Sequence, residues 1–116
     1  RSLFVAVFAL SACVSAPQAE LTTADAVVGA ERAFAARAGA IGWIPAFREF
    51  VAPDGQLAQP DGYADAPAQL AGTPDDGNRD LFWWPAWAGI SRAGDFGFTT
   101  GPVSFDAQRT PRGHYF

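Results

Sequence analysis

Histidine is the side-chain type that ordinarily titrates near neutrality, and this chain of 116 residues has one, His114. It follows Gly113, where the backbone can approach a neighbouring strand closely. As a general acid or base it needs an orienting carboxylate, and no residue in the sequence identifies itself as one. The plainer reading is a structural histidine, bonded to a backbone carbonyl or facing water. The aromatic run around Trp83 is the other unusual feature. In a strand, alternate side chains share a face. Leu81, Trp83, Pro85 and Trp87 are therefore expected on one face, and Phe82, Trp84, Ala86, Ala88 and Ile90 on the other. Two indoles on one face, Trp83 and Trp87, make a platform for a flat or apolar ligand; filling the core against Phe34 and Phe47 is the bland alternative.

The single cysteine, Cys13, closes an apolar run, residues 3–12, behind Arg1. Ten residues rise roughly 15 Å as a helix, too little to span a bilayer, and suit the apolar region of a signal peptide. Leu10-Ser11-Ala12-Cys13 resembles a bacterial lipobox, in which small residues enter the peptidase and the thiol carries a lipid. A plain secretory cleavage near Ala19 is the alternative. Val14, where Asp would favour retention in the inner membrane, points to an outer-membrane anchor. Residues 1–13 thus form the export segment, 14–21 a tether and 22–116 the domain. The expected location is the periplasm or the outer membrane, with membrane contact only through the anchor.

Twelve acidic residues against eight basic ones, all arginine, leave a net charge of −4. Nucleic-acid binding needs a positive stripe, and none is present. One Cys and one His exclude both an internal disulfide and a four-ligand zinc site of the usual kind. No cofactor is implied. The aspartates read as turn residues: Asp54, Asp61 and Asp76 each precede a glycine, and Asp95 follows one. Tyr63 is placed to reach a pocket rim. Glu31, Arg32, Arg48 and Glu49 read as solvated helix faces.

Several elements must position these groups. Thr22-Thr23-Ala24-Asp25 has the pattern of a capping box. Val27, Ala30, Phe34, Ala38 and Ile41 then form an apolar stripe of helical period, ended by Gly39 and Gly42. A shorter helix over 44–50 carries Phe47 and Phe50. Turn signals at Pro53-Asp54-Gly55, Pro60-Asp61-Gly62 and Asp76-Gly77-Asn78 flank a short strand at 56–59 and a helical turn or two at 66–71. Strands follow at 81–91, 96–105 and 113–116, with a hairpin at Gly94-Asp95 and a turn over 109–112. Helices first and antiparallel strands after argue an α+β domain with the helices on one sheet face.

The run Ala30-Glu31-Arg32-Ala33-Phe34, the segment Ala46-Phe47-Arg48-Glu49-Phe50 before Pro53-Asp54-Gly55, and above all Gly94-Asp95-Phe96-Gly97-Phe98-Thr99-Thr100-Gly101 with Gly113-His114-Tyr115 carry a resemblance. They resemble an uncharacterised bacterial group in the nuclear-transport-factor-2-like superfamily, which includes ketosteroid isomerase and the SnoaL-type cyclases. The resemblance implies a cone-shaped roll: a strongly curved antiparallel sheet around the first helix, a pocket at its open end, and dimers through the outer sheet face. It also implies further strands beyond Phe116. No Tyr and Asp are placed as in the isomerase's oxyanion hole, so that mechanism does not carry over.

The leading expectation is an exported domain that binds a small apolar or aromatic molecule, in a pocket lined by Phe34, Trp43, Phe47, Trp83, Trp87 and Phe98 with His114 as the polar handle. The alternatives are an isomerase, dehydratase or cyclase working through His114, and a homodimeric assembly domain joined through Phe82 and Trp84.

Overall fold

The computed structural model describes residues 23–116. The expected export segment with Cys13 and the expected tether lie outside them. Helix α1 (Ala24–Ile41) starts one residue later than a Thr22 cap would place it: Thr23 is the N-cap, and its Oγ1 accepts the Ala26 N–H at 3.1 Å. That bond satisfies one of the orphan donors of the first turn. Gly39 is absorbed into the helix. Gly42, at φ 102°, ends it and donates its N–H to the Ala38 carbonyl at 2.9 Å. Only glycine holds that backbone angle without strain, so α2 (Trp43–Phe50) can follow with no intervening loop.

A hairpin of β1 (Gln56–Gln59) and β2 (Gly62–Asp65) comes next, then α3 (Ala66–Gly72). Asp65 caps α3 by accepting the Ala68 N–H at 2.8 Å. At the other end Arg48 donates to the Leu70 carbonyl at 3.0 Å and the Thr73 carbonyl at 2.5 Å. Arg48 is therefore a C-terminal cap for α3, not a free surface charge. Its neighbour Glu49 is held in a two-pronged pair by Arg37, both contacts at 2.7 Å. Ile44, Ala66 and Leu70 form a small core under the hairpin. A chain of Asx turns leads out of α3: Asp75, Asp76 and Asn78 each accept the N–H two residues on, at 2.8–2.9 Å. Asp76 is thus the turn residue expected.

The main sheet is antiparallel and centred on β5 (Gly97–Ser104), with β3 (Phe82–Trp83) and β4 (Trp87–Ile90) in line along one edge and β6 (Gly113–Tyr115) on the other. Trp83 faces Val103, and Trp87 faces Thr100. Between these pairs, three residues (84, 85 and 86) oppose two (101 and 102), so the aromatic strand holds one extra residue. This is a β-bulge. It is seated on Gly101, where an added Cβ would come within 2.9 Å of the Ala86 nitrogen and closer still to the Trp84 carbonyl oxygen.

The bulge overturns the expected sharing of faces. Val103 belongs to the core with Trp83, whereas Thr100, three residues away along β5, points to the other side and takes Trp87 with it. Trp83 is 8% exposed and Trp87 73%. Simple alternation fails because an extra residue inverts every side chain beyond it.

The architecture is α+β, with helices packed on antiparallel sheets. Neither sheet is strongly curled. The wrapped cone expected from the resemblance needs long continuous strands. Here β3 has two residues and β4 has four, and β1–β2 forms a separate hairpin.

Candidate ligand-binding site

The stripe by which α1 meets the sheet runs Val27, Glu31, Phe34, Ala38, a spacing of 4, 3 and 4. A carboxylate therefore sits in an otherwise apolar row. Glu31 is not on the solvated face expected of it. Its Oε1 accepts the Trp83 indole N–H, and its Oε2 accepts the Thr99 hydroxyl at 2.8 Å. The Tyr115 hydroxyl donates in turn to Thr99 Oγ1 at 3.2 Å. Three sheet side chains are thus tied directly or in series to one helix carboxylate. Burial pushes the Tyr115 phenol above its ordinary range; the Thr99 bond opposes this and the Glu31 charge adds to it.

Around these groups lies a cavity of ≈ 320 Å³, walled by Phe34, Phe47, Leu81, Trp83 and Val103, with Glu31 and Tyr115 as its polar side chains and Phe116 at its margin. Phe34 is the hub of the aromatic wall. Its ring centroid is 4.6 Å from Phe47 and 4.9 Å from Trp83, both edge-on, and 5.0 Å from Phe50, stacked. Edge-on pairs set the positive rim of one ring against the negative face of the next, a preferred aromatic geometry. A second hollow of ≈ 290 Å³ adjoins the first across Glu31, Phe34 and Phe47, and extends toward Val27, Val51 and Leu57.

Of the residues expected to line a pocket, the structure brings Phe34, Phe47 and Trp83 together. Trp43 packs edge-on against Phe47 at 5.8 Å, behind the wall. Trp87 and Phe98 lie on the outer sheet face, where the Phe98 ring covers the bare backbone of Gly89. His114 pairs with Pro102 and so projects to the outer face, exposed and 5.7 Å from the Phe116 ring. Its neighbour Tyr115, paired with Gly101, is the β6 residue that reaches the cavity. Tyr63 is 77% exposed on the separate hairpin. Asp95 is held in its turn by the Ser91 hydroxyl at 2.6 Å, which keeps its carboxyl below the usual range.

Glu31, Thr99 and Tyr115 are the residues that sequence reasoning missed. A signal for the first was present: its place in the heptad-like row with Val27, Phe34 and Ala38. Among the described residues no three His, Cys, Asp or Glu side chains gather as a metal site requires, and no helix is long and apolar enough to cross a membrane. Compared with known proteins, the chain matches no family model, no curated protein and no solved structure.

Proposed function

We propose that this domain binds a small molecule with an aromatic or apolar body in the cavity between α1, α2 and the sheet. The observation that carries the reading is the pairing of an aromatic wall with a few convergent polar groups, in a volume of ≈ 320 Å³. Ligand sites are ordinarily mostly apolar, with a few placed polar groups that fix orientation. The volume suits one or two fused rings. Glu31 and Tyr115, joined through the buried Thr99 hydroxyl, replace His114 as the polar handle.

The relation to nuclear-transport-factor-2-like domains belongs to the same proposal. A long first helix lying on an antiparallel sheet, with a hollow between them, supports it, whereas the weak curl of the sheets does not. Export and lipid anchoring at Cys13 complete the reading, on the strength of the lipobox-like residues.

The test is a titration of the folded chain with small aromatic probes, neutral and charged, followed by tryptophan emission. A saturable change retained in Trp87→Phe and lost in Val103→Phe, which adds a ring to the cavity, is the expected result. No saturable change with any probe at millimolar concentration would refute it.

A second reading, assembly through the outer face of the main sheet, is favoured by the exposure of Trp87 (73%) and Phe98 (51%) there. Phe82 and Trp84 are half-buried, and Phe82 lies under the Arg109 guanidinium. Sedimentation that depends on concentration and is abolished by Trp87→Ser would establish this reading; a monomer at every concentration would dismiss it.

A further inference from the structure

We infer that the ligand of this cavity carries a positive charge, as an ammonium or similar organic cation on an aromatic or apolar body; the inference rests on the binding reading above. Among the side chains that line the cavity one is charged, and it is Glu31. The single ion pair among the described residues joins Arg37 to Glu49, on the surface. The Glu31 carboxylate is half-buried, and each of its oxygens accepts one hydrogen bond from the protein, Oε1 from Trp83 and Oε2 from Thr99. A carboxylate has about four acceptor positions, so about half of them remain open to whatever fills the cavity.

A neutral apolar ligand would strip water from those positions and leave a charge in an apolar pocket without compensation, which is costly. An anion would add repulsion to that loss. A cation reverses both effects. It replaces the lost water with direct attraction, strengthened by the lowered dielectric of the filled cavity. It also lies among the rings of Phe34, Phe47, Trp83 and Tyr115, whose faces attract cations. The hydrogen bonds from Trp83 and Thr99 fix the direction of the Glu31 carboxylate, so its open acceptor positions are aimed before a ligand arrives.

The experiment compares two isosteres on the full chain. In benzyltrimethylammonium and neopentylbenzene a positive nitrogen and a neutral carbon occupy the same place. Affinities are measured by tryptophan emission at low salt, then in about 0.5 M NaCl. The cation is expected to bind at least about tenfold more tightly than the neutral isostere. That advantage should shrink severalfold in high salt, and Glu31→Gln, which keeps the size, removes the charge and turns one acceptor oxygen into an NH2 donor, should remove most of it. The salt series on the unaltered chain keeps the test decisive even if Glu31→Gln folds poorly.

Equal binding of the two isosteres, or a cation advantage unchanged by both salt and Glu31→Gln, would overturn the charge assignment and leave the binding reading standing. Failure of both isosteres and of every other small aromatic probe would overturn the binding reading, and this inference with it.

Discussion

Replacing Gly101 by alanine tests the bulge, and with it the rule that Trp83 faces in and Trp87 out. The new methyl group would meet backbone, not a yielding side chain: the Ala86 nitrogen at 2.9 Å, the Trp84 carbonyl carbon at 3.1 Å, and the carbonyl oxygen nearer still. Residues 84–86 must then lift off β5. Overpacking of this kind costs about 1–3 kcal/mol. Lifting the bulge also threatens the bonds from the Ala86 N–H to the Thr100 carbonyl, 2.9 Å, and from the Trp84 N–H to the Pro102 carbonyl, 3.4 Å. Each is worth about 1 kcal/mol. The expected loss is therefore about 3–5 kcal/mol, against a typical domain stability of about 5–15 kcal/mol. Urea unfolding followed by tryptophan emission measures it. Gly29→Ala in α1 is the control: nothing lies within 4 Å of its added methyl group, and relief of glycine's helix penalty should stabilise by about 0.5–1 kcal/mol. Should Gly101→Ala cost under about 1 kcal/mol, the strand would run through without a bulge, and Trp87 would belong on the face of Trp83.

The remaining predictions follow from contacts already described. Trp83→Ala should cost about 3–5 kcal/mol by emptying the aromatic wall, while Trp87→Ser should stay within about 0.5 kcal/mol; thermal unfolding of both variants separates them. Arg48→Ala should destabilise by about 1–3 kcal/mol, because the Leu70 and Thr73 carbonyls lose a charged donor, and Arg48→Lys should restore only part, lacking the fork that reaches both. The Tyr115 phenol is held above its ordinary range when folded, so the chain binds that proton more tightly than its unfolded form does. Stability from this group is complete below the unfolded tyrosine pKa, about 10, and falls as pH rises through the folded value. Tyr115→Phe should therefore flatten the alkaline limb of a stability–pH curve; an unchanged limb would contradict the burial argument. Glu49 has the opposite sign. The Arg37 hydrogen bonds hold its carboxyl below the usual range, so the contribution is present above the unfolded pKa and lost as pH falls through the folded one. Glu49→Gln should flatten the acid limb slightly, with an effect that vanishes in high salt.

Local chemistry made much of the framework legible from the chain alone. Gly42 and the Asp76 turn act through bonds that reach no more than four residues, so their meaning is written in the neighbouring letters. The strand at 56–59 and the hairpin closed by Gly94 were readable for the same reason. So were the α1 stripe and the α+β order, which rest on periodicity and succession. Phe34, Phe47 and Trp83 were readable as packing partners because large aromatics at core spacings have few other places to go.

Tertiary structure decided the rest. Glu31 and Arg48 look like ordinary surface charges until helix and sheet are brought together, because their partners Trp83, Thr99, Leu70 and Thr73 lie 22 to 68 residues away. The bulge is a disagreement between two strands over how many residues span the same distance, and neither strand reveals it alone. Gly101 is the clearest case. Its lack of a side chain matters only because the backbone at Trp84 comes to rest against it. That close approach turns Trp87 away from the cavity, while alternation along β5 sends Phe98 outward and the register of β6 on Gly101 and Pro102 turns Tyr115 in and His114 out. Composition and spacing alone establish an acidic α+β chain rich in aromatic residues; which of those residues face one another depends on register, a property of paired strands and not of the letters in either.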